Sequence, residues 1–345
     1  MPAEDMSDFS MTNPREPAGG NPGADPDDAG DAAPVLKPED QILAEQELAR
    51  RGAEADMDIP IVRAIKETST EALTPVRYRG SDTLCFDCHK GISCWNACCQ
   101  DTDILLTPFD LVRLARHFEA RPADIVRLFG SAAVHDKSNM PVVKLKMLDK
   151  PGQAQKPCVF LDEVEGCTVY ENRPAACRYY PLGLAAIKIA DEEQTEQFYF
   201  LVKESHCKGH EEPKAQTVDA FRVEQGVEPY DEQNAGWMHI LMKLTSWRTI
   251  GGPWGKEPDA RVKRMFHMAA TDIDAFRTFV FNSTFLDKYA IAPEMREVLA
   301  RDDEALLKLA FDWLRSVIFN EPTVPLKEDV LRDAIAKAQR DLGAG

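Results

Sequence analysis

Cysteines are the residues of this sequence best suited to chemistry. All nine lie between residues 85 and 207. In chain order they are Cys85, Cys88, Cys94, Cys98, Cys99, Cys158, Cys167, Cys177 and Cys207. A Cys-x2-Cys turn can present two thiolates to one ion, and both zinc sites and iron–sulfur clusters place tetrahedral sulfur around each metal. Because five of the nine fall within fifteen residues, the spacing predicts metal ligation, with all nine thiols as candidate ligands.

Other uses of the thiols fit the sequence less well. A disulfide framework needs an oxidising compartment, whereas the N-terminal residues show no secretory signal, so we expect a cytoplasmic protein with reduced thiols. Nine is also an odd number. A single nucleophilic cysteine would not need eight companions. Cys158 and Cys167 lie on apolar segments, where a buried thiol without a ligand role is the alternative interpretation.

The sequence leaves open how the thiols are divided. Side chains of adjacent residues diverge in most backbone conformations, so Cys98 and Cys99 are expected to serve two metals, or two irons of one cluster, more easily than one ion. Nine thiols allow two four-cysteine sites and one spare, or one cluster with several structural cysteines. The adjacent pair and the surplus of thiols over one zinc site favour an iron–sulfur cluster over zinc.

Two arginines flank Cys177, and each has two possible roles. A guanidinium can offset the negative charge of thiolates through charge-assisted hydrogen bonds. The alternative for Arg173 is pairing with Asp162, with Glu163 or with a backbone carbonyl. Tyr170, Tyr179 and Tyr180 are expected to pack around the site rather than act as catalytic phenols.

Histidines and one aspartate near the motif have simpler interpretations. His89, His206 and His210 lie close to cysteines, but each is expected to be a polar surface residue or a neighbour of a ligand. Thr107-Pro108-Phe109-Asp110 is typical of a helix start, so Asp110 is predicted to stabilise that helix rather than to act as a catalytic acid.

The elements that must position the thiols are predicted from periodicity. We expect an α+β fold in which helix dominates, with a small sheet carrying the later cysteines. Predicted helices cover 107–118, 123–129, 217–225, 231–247, 293–319 and 327–342, and another starts at 271. Predicted strands cover 142–147, 158–161, 167–170 and 197–202. The glycine-rich stretch 250–255 is predicted to be a loop, not a nucleotide-binding turn.

Composition sets the domain plan and excludes some classes of function. The 345 residues are 44% apolar and carry a net charge of −17. Residues 1–60 account for −11 of that charge. We predict a disordered acidic tail over 1–58, with one short polar helix at 39–55. A cysteine-cluster domain is predicted over 76–229 and a helical region over 230–345. The acidity argues against nucleic-acid and anionic-membrane binding, and no apolar run is long enough to span a membrane.

Several blocks of residues together resemble the CxxCxxCC family of zinc- or iron-chelating domains, the YkgJ-like cysteine-cluster proteins. The blocks are 85–99, 106–114, 158–161, 167–174, 177–181 and 207–209. The resemblance covers about residues 83–230. The family's Cys-x2-Cys-x2-Cys-Cys is stretched here between Cys88 and Cys98, so Cys98, Cys99 and the four later cysteines match with less ambiguity than the first three.

The resemblance implies a bound zinc or iron centre without fixing a reaction. The favoured function is a metal-binding protein whose centre is structural or carries electrons. Because some relatives are flagellin lysine N-methylases, an S-adenosylmethionine-dependent protein lysine methylase is one alternative. A zinc-stabilised interaction module, which contacts a protein partner through its helical C-terminal region, is another. Whether the protein is an enzyme, and its oligomeric state, stay open at the level of sequence.

Overall fold

The computed structural model describes residues 73–188, 195–250 and 258–341. The predicted tail at 1–58, its helix at 39–55 and most of the glycine-rich stretch 250–255 lie outside the described residues. The described chain has an α+β fold dominated by helix, which confirms the predicted class. None of its helices combines the length and apolar character needed to cross a membrane.

Helices make up about half of the described chain. They are α1 (Pro108–His117), α2 (Pro122–Phe129), α3 (Ala175–Tyr179), α4 (Val218–Gln225), α5 (Glu228–Ile250), α6 (Ala260–Thr271), α7 (Ile273–Asn282), α8 (Phe285–Lys288), α9 (Pro293–Arg301), α10 (Asp303–Phe319) and α11 (Glu328–Asp341). Short 3-10 turns cover Ala97–Cys99, Tyr170–Asn172 and Gly209–Glu211.

The strands are short and pair antiparallel in small sheets. They are β1 (Leu73–Tyr78), β2 (Thr83–Cys85), β3 (Leu105–Leu106), β4 (Gly130–His135), β5 (Met140–Leu145), β6 (Leu161–Asp162), β7 (Gly166–Cys167), β8 (Leu182–Lys188), β9 (Thr195–Val202) and β10 (Ala215–Thr217). The described sheets have the orders β1-β9-β8, β10-β2, β3-β5-β4 and β6-β7. The cysteines are thus carried by turns, by two-stranded ribbons and, for Cys177, by helix α3, rather than by one small sheet.

Helix α1 begins as its sequence predicts. The Thr107 hydroxyl accepts the backbone N–H of Asp110 at 3.1 Å, and the Asp110 carboxylate accepts the backbone N–H of Thr107 at 2.7 Å. Pro108 occupies the first helical position, where its missing N–H costs nothing. This reciprocal cap fixes the start of the helix that follows the first cysteine cluster.

Some predicted elements have different bounds. The helix predicted over 293–319 is two helices, because the Asp302 carboxylate accepts the N–H groups of Glu304 and Ala305 and so begins α10 afresh. The strands predicted over 158–161 and 167–170 shrink to the two-residue pair β6 and β7. Strands β1–β4, β8 and β10 and helices α6 and α8 were not predicted from the sequence.

Three hydrophobic clusters hold the described chain together. The largest contains Phe109 and Met140 from the cysteine region together with buried residues of α5–α10, so the C-terminal helices share a core with that region. The second contains Phe86 and Tyr179, with Cys207 packed against it. The third contains the buried Cys158. The division predicted at residue 229 stays a prediction.

Candidate metal centre

The first cysteine segment is bound to the segment that carries Cys207. Strand β2 pairs with β10, so that Cys85 lies opposite Ala215. One turn further, the backbone N–H of Asp87 donates to the carbonyl of Gly209 at 3.1 Å. A methyl group at Gly209 would lie 2.7 Å from the Asp87 carbonyl oxygen, so only glycine allows the two backbones to approach this closely.

Cys94 and Cys207 lie where these two segments contact each other. The backbone N–H of Lys208 donates to the Cys94 sulfur at 3.1 Å, which places that thiol beside the turn after Cys207. Burial, together with the nearby Cys98, Cys94 and Cys207, raises the pKa of Cys88 to about 12. Burial also raises the pKa of Cys207, against the lowering effect of Tyr180 and of the Gly209 backbone.

Cys98 and Cys99 lie side by side with their sulfurs 4.0 Å apart. They end the 3-10 turn Ala97–Cys99, which follows Asn96 in the left-handed conformation with φ of 68°. The expectation that these side chains diverge is therefore wrong, because the tight turn directs both thiols to one side. Their shared hydrogen bond raises the pKa of Cys99 and lowers that of Cys98.

Cys158 and Cys167 are held beside Cys99 by backbone hydrogen bonds. The N–H of Cys158 donates to the carbonyl of Cys99 at 2.8 Å. The β6-β7 ribbon then pairs Leu161 with Cys167 and returns the chain to the same place. Burial raises the pKa of Cys158 to about 11. Burial also raises the pKa of Cys167, and the positive charge of Arg173 opposes that rise.

Cys177 lies on the one-turn helix α3. The backbone N–H of Ala175, at the start of that helix, donates to the Asp110 carboxylate at 2.8 Å. Burial, followed by the nearby Cys158 and Cys167, raises the pKa of Cys177 well above that of an ordinary thiol. Asp110 is completely buried and caps α1, which confirms its predicted structural role.

The two arginines are buried and bind backbone and amide oxygens. Arg173 donates to the Tyr170 carbonyl at 2.8 Å and to the Gln225 side chain at 2.6 Å. Arg178 donates to the carbonyls of Arg173, Gln225 and Glu171. Of the alternatives for Arg173, pairing with a carbonyl is therefore confirmed.

The predicted carboxylate partners of Arg173 are engaged elsewhere. Asp162 accepts the backbone N–H groups of Val164 and Glu165. Glu163 pairs with Lys150 at 3.1 Å. Pairing of Arg173 with either carboxylate is therefore wrong. The positive charge of the Arg173 guanidinium nevertheless lowers the pKa of the nearby Cys167 thiol.

The histidines have neighbours other than a metal. His89 lies 3.6 Å from Glu212, and His206 lies 3.5 Å from Glu204. The ring of His210 packs on Phe86, with centroids 5.2 Å apart. The predicted roles of the three histidines stay predictions.

Sequence reasoning missed two residues of the site. Gln225, at the end of α4, receives hydrogen bonds from both buried arginines, and nothing in its local sequence indicates that role. The buried hydroxyl of Tyr180 lies beside Cys207, where burial and that thiol raise the pKa of the phenol. Tyr180 was expected only to pack; its position marks it as a direct neighbour of a candidate ligand.

The cysteine sulfurs are suitable ligands for a thiolate-bound metal. In this structure, however, they do not surround a common point closely enough to form a complete site. A zinc–sulfur distance of about 2.3 Å in a tetrahedron separates two sulfurs by about 3.8 Å, close to the Cys98–Cys99 distance of 4.0 Å. Within residues 73–188, 195–250 and 258–341, no three His, Cys, Asp or Glu side chains are already arranged to hold an ion. Metal binding would therefore require the thiols to close in, as when site formation is coupled to folding.

Comparison with known proteins agrees with this chemistry. Residues 87–220 match the model of the CxxCxxCC family, described as "Putative zinc- or iron-chelating domain". Comparisons with curated proteins and with solved structures give no significant match. The matched range contains eight of the nine cysteines and both buried arginines. Over residues 87–220, therefore, the chain is similar to the CxxCxxCC family.

Proposed function

We propose that this domain binds metal through its cysteine thiolates and that the metal is iron in an iron–sulfur cluster. One observation carries the proposal: four separate segments of the chain bring thiols into one region. These segments are the turn at 88–99, the ribbon at 158–167, helix α3 with Cys177, and the turn after Cys207. Thiols gathered from such distant positions are typical of ligands to a shared centre.

The charges around the thiols support ligation. A centre with four thiolates carries excess negative charge, which nearby guanidinium groups stabilise. Arg173 and Arg178 are each only 7% exposed, and the charge of Arg173 acts on Cys167 and Cys177. Their hydrogen bonds to carbonyls keep both cations fixed next to the ligands.

The matched range holds more thiols than a single structural zinc ion takes. Eight thiols lie within the matched domain, whereas one structural zinc takes four ligands. An iron–sulfur cluster held by these residues would supply either a rigid cross-link between the four segments or a one-electron carrier. The protein would position the thiols, bury the two arginines beside them and keep water away from Cys158.

The methylase alternative receives no support from the grooves of the described chain. A groove of about 590 Å³ lies along α9 and another of about 330 Å³ lies along α11. Neither groove is lined by a cysteine. A methyl donor bound in either groove would lie apart from the candidate metal ligands.

The visible spectrum of the anaerobically purified full-length chain tests the choice of metal. We expect a broad visible absorption that bleaches when dithionite is added, together with equal amounts of iron and acid-labile sulfide. A colourless protein with stoichiometric zinc would overturn the iron–sulfur assignment. A matched Cys177→Ser variant should lose the absorption, because it removes a candidate ligand.

A further inference from the structure

We propose that Cys98 and Cys99 form a reversible disulfide in the metal-free chain, and that this bond controls whether the thiols can take up metal. The inference rests on the proposed function, because it treats both thiols as metal ligands. It adds a second state of the adjacent pair, in which the two sulfurs are bonded to each other and are closed to a metal.

The two sulfurs are already close to each other. They lie 4.0 Å apart, whereas a disulfide joins its sulfurs at about 2.05 Å. Rotation about the two Cα–Cβ bonds moves each sulfur without moving the backbone. The remaining gap of about 2 Å can therefore be closed largely by the side chains.

Hydrogen bonds within the protein fix the turn that carries the pair. The N–H of Cys99 donates to the Asn96 carbonyl at 3.0 Å, and the N–H of Gln100 donates to the Ala97 carbonyl at 3.2 Å. The carbonyl of Cys99 accepts the N–H of Cys158 at 2.8 Å. The turn is thus tied both to itself and to the neighbouring segment, so the two thiols stay side by side.

The two thiols differ in exposure. Cys98 is exposed to solvent, whereas Cys99 is half-buried. Cysteines that respond to oxidants are typically accessible and lie next to a second cysteine, which resolves the oxidised form into a disulfide. Cys98 is therefore the thiol that an oxidant reaches first, and Cys99 is the resolving thiol.

The reaction balances with a hydroperoxide as the oxidant. The Cys98 thiolate attacks the peroxide, which breaks the O–O bond, leaves a sulfenic acid on Cys98 and releases an alcohol, or water from hydrogen peroxide. The Cys99 thiolate then attacks the Cys98 sulfur. The S–S bond forms as hydroxide leaves and takes up a proton to become water. Two electrons have passed from the two thiols to the peroxide.

A disulfide between adjacent residues is easily reversed. Neighbouring Cα atoms are about 3.8 Å apart, which is below the usual range of about 4.4–6.8 Å across a disulfide. Strained and exposed disulfides are the labile ones, so a dithiol reductant reopens the bond. Oxidation therefore removes two candidate ligands at once, and reduction returns both.

Thiol counting on the full-length wild-type chain tests the disulfide. The reduced chain is stripped of metal without oxygen, exposed to a small excess of hydrogen peroxide, denatured and alkylated. We expect two of the nine thiols to be lost, both on the tryptic peptide 91–113. All nine should return after treatment with dithiothreitol. An unchanged thiol count would overturn the inference.

Variants identify the pair, because Cys94 lies on the same tryptic peptide. Cys94→Ser should still lose two thiols from this peptide. Cys98→Ser and Cys99→Ser should form no disulfide within it. A wild-type disulfide that joins Cys98 to any cysteine other than Cys99 would overturn the inference as well.

Metal binding is measured on the same wild-type samples, with Zn²⁺ as the probe. We expect the oxidised chain to lose the zinc binding of the reduced chain, and dithiothreitol to restore it. Equal zinc binding by the two forms would overturn the control of metal uptake. A reduced chain that binds no zinc would refute the proposed function and this control together, while the thiol count would still report on the disulfide.

Discussion

The carboxylate of Asp110 joins helix α1 to the segment that carries Cys177, because its Oδ1 atom accepts the backbone N–H of Ala175 at 2.8 Å. Its other oxygen accepts the N–H of Thr107 and completes the cap of α1. The side chain is completely buried. One carboxylate therefore satisfies two backbone donors and fixes the start of α3 against α1.

Replacing Asp110 with Asn should destabilise the protein at low pH. Both oxygens of a carboxyl group can accept an N–H, even when the group is protonated, whereas an amide has one acceptor oxygen. One of the two N–H groups therefore loses its partner, at a cost of about 1–3 kcal/mol in the free energy of unfolding. Denaturant titration at pH 4 measures the difference from wild type. Thr107→Ala, which removes only the hydroxyl cap, is the matched control and should cost about 1 kcal/mol.

Wild type should lose its advantage over Asp110→Asn as the pH rises. Burial raises the pKa of Asp110 to about 6, against the lowering effects of its N–H donors and of Arg178. The stability gained from binding this proton is complete below about pH 4 and is lost as the pH rises through about 6, a change of about 3 kcal/mol. The Asn variant has no such titration, and contributions shared by both proteins cancel. A gap that stays constant or widens from pH 4 to pH 7 would refute the burial argument.

Replacing Gly209 with Ala should separate the segment that carries Cys88 from the segment that carries Cys207. The added methyl group would lie 2.7 Å from the Asp87 carbonyl and 2.5 Å from the Phe86 ring. Such overpacking typically costs about 1–3 kcal/mol. Thermal unfolding should show the loss together with a lower metal content.

The control for this substitution is Gly91→Ala. Its methyl group would meet the His89 side chain at 3.2 Å, and a half-exposed ring can move aside. We expect little change in either stability or metal content. If Gly209→Ala behaves like this control, close contact between the segments is not needed to hold the thiols.

Replacing Arg178 with Lys should destabilise the domain without removing the metal ligands. The guanidinium bridges the carbonyls of Arg173, Glu171 and Gln225, and one ammonium cannot reach all three. We expect a loss of about 2–3 kcal/mol in the free energy of unfolding, since buried carbonyls lose their donors. Metal content of the folded fraction should stay at the wild-type value; complete loss of metal would show that Arg178 acts on the centre itself.

Glu321, which lies outside the cysteine region, should make a pH-dependent contribution to the stability of the fold. Burial alone would raise its pKa, but hydrogen bonds from Lys243, Arg315 and His239 outweigh burial and lower the pKa to about 2. Its stabilising effect is present above the unfolded value of about 4.3 and is lost as the pH falls towards 2. Because the cluster is partly exposed to solvent, we expect Glu321→Gln to cost about 1 kcal/mol at pH 7.

The acid dependence of that variant is the check on its mechanism. The difference between wild type and Glu321→Gln should shrink between about pH 4 and pH 2 in denaturant titrations. Glu328→Gln, on the first turn of α11, serves as the control and should change stability by less than about 0.5 kcal/mol. Equal effects of the two substitutions would contradict a special role for the Glu321 cluster.

Local signals in the sequence predicted many of the elements. The Thr107–Asp110 cap, the stop at Gly226 after α4 and the turn between Asp162 and Gly166 are all where the residues indicate. The break at Asp302 was missed because the apolar spacing continues across it. Strand β4 was missed because its pairing with β5 is decided by the partner strand rather than by its own residues.

The sequence predicted which residues are candidate ligands, but not how they are arranged in space. The spacing identifies the candidate ligands, yet it cannot show that Cys98 and Cys99 lie on one side of a turn, which depends on the left-handed Asn96. Nor can it show that Gln225 receives both buried arginines, because that contact joins residues 47 and 52 positions apart. These features follow from tertiary packing between distant segments.

The metal content of the full-length chain, purified without oxygen and without added metal, tests the central claim most directly. Plasma mass spectrometry should find tightly bound iron or zinc in stoichiometric amounts, and Cys98→Ser and Cys177→Ser should each contain less. Because site formation and folding are coupled, both variants should also unfold more easily than wild type. A folded wild-type chain without bound metal, or full metal content in both variants, would contradict the account.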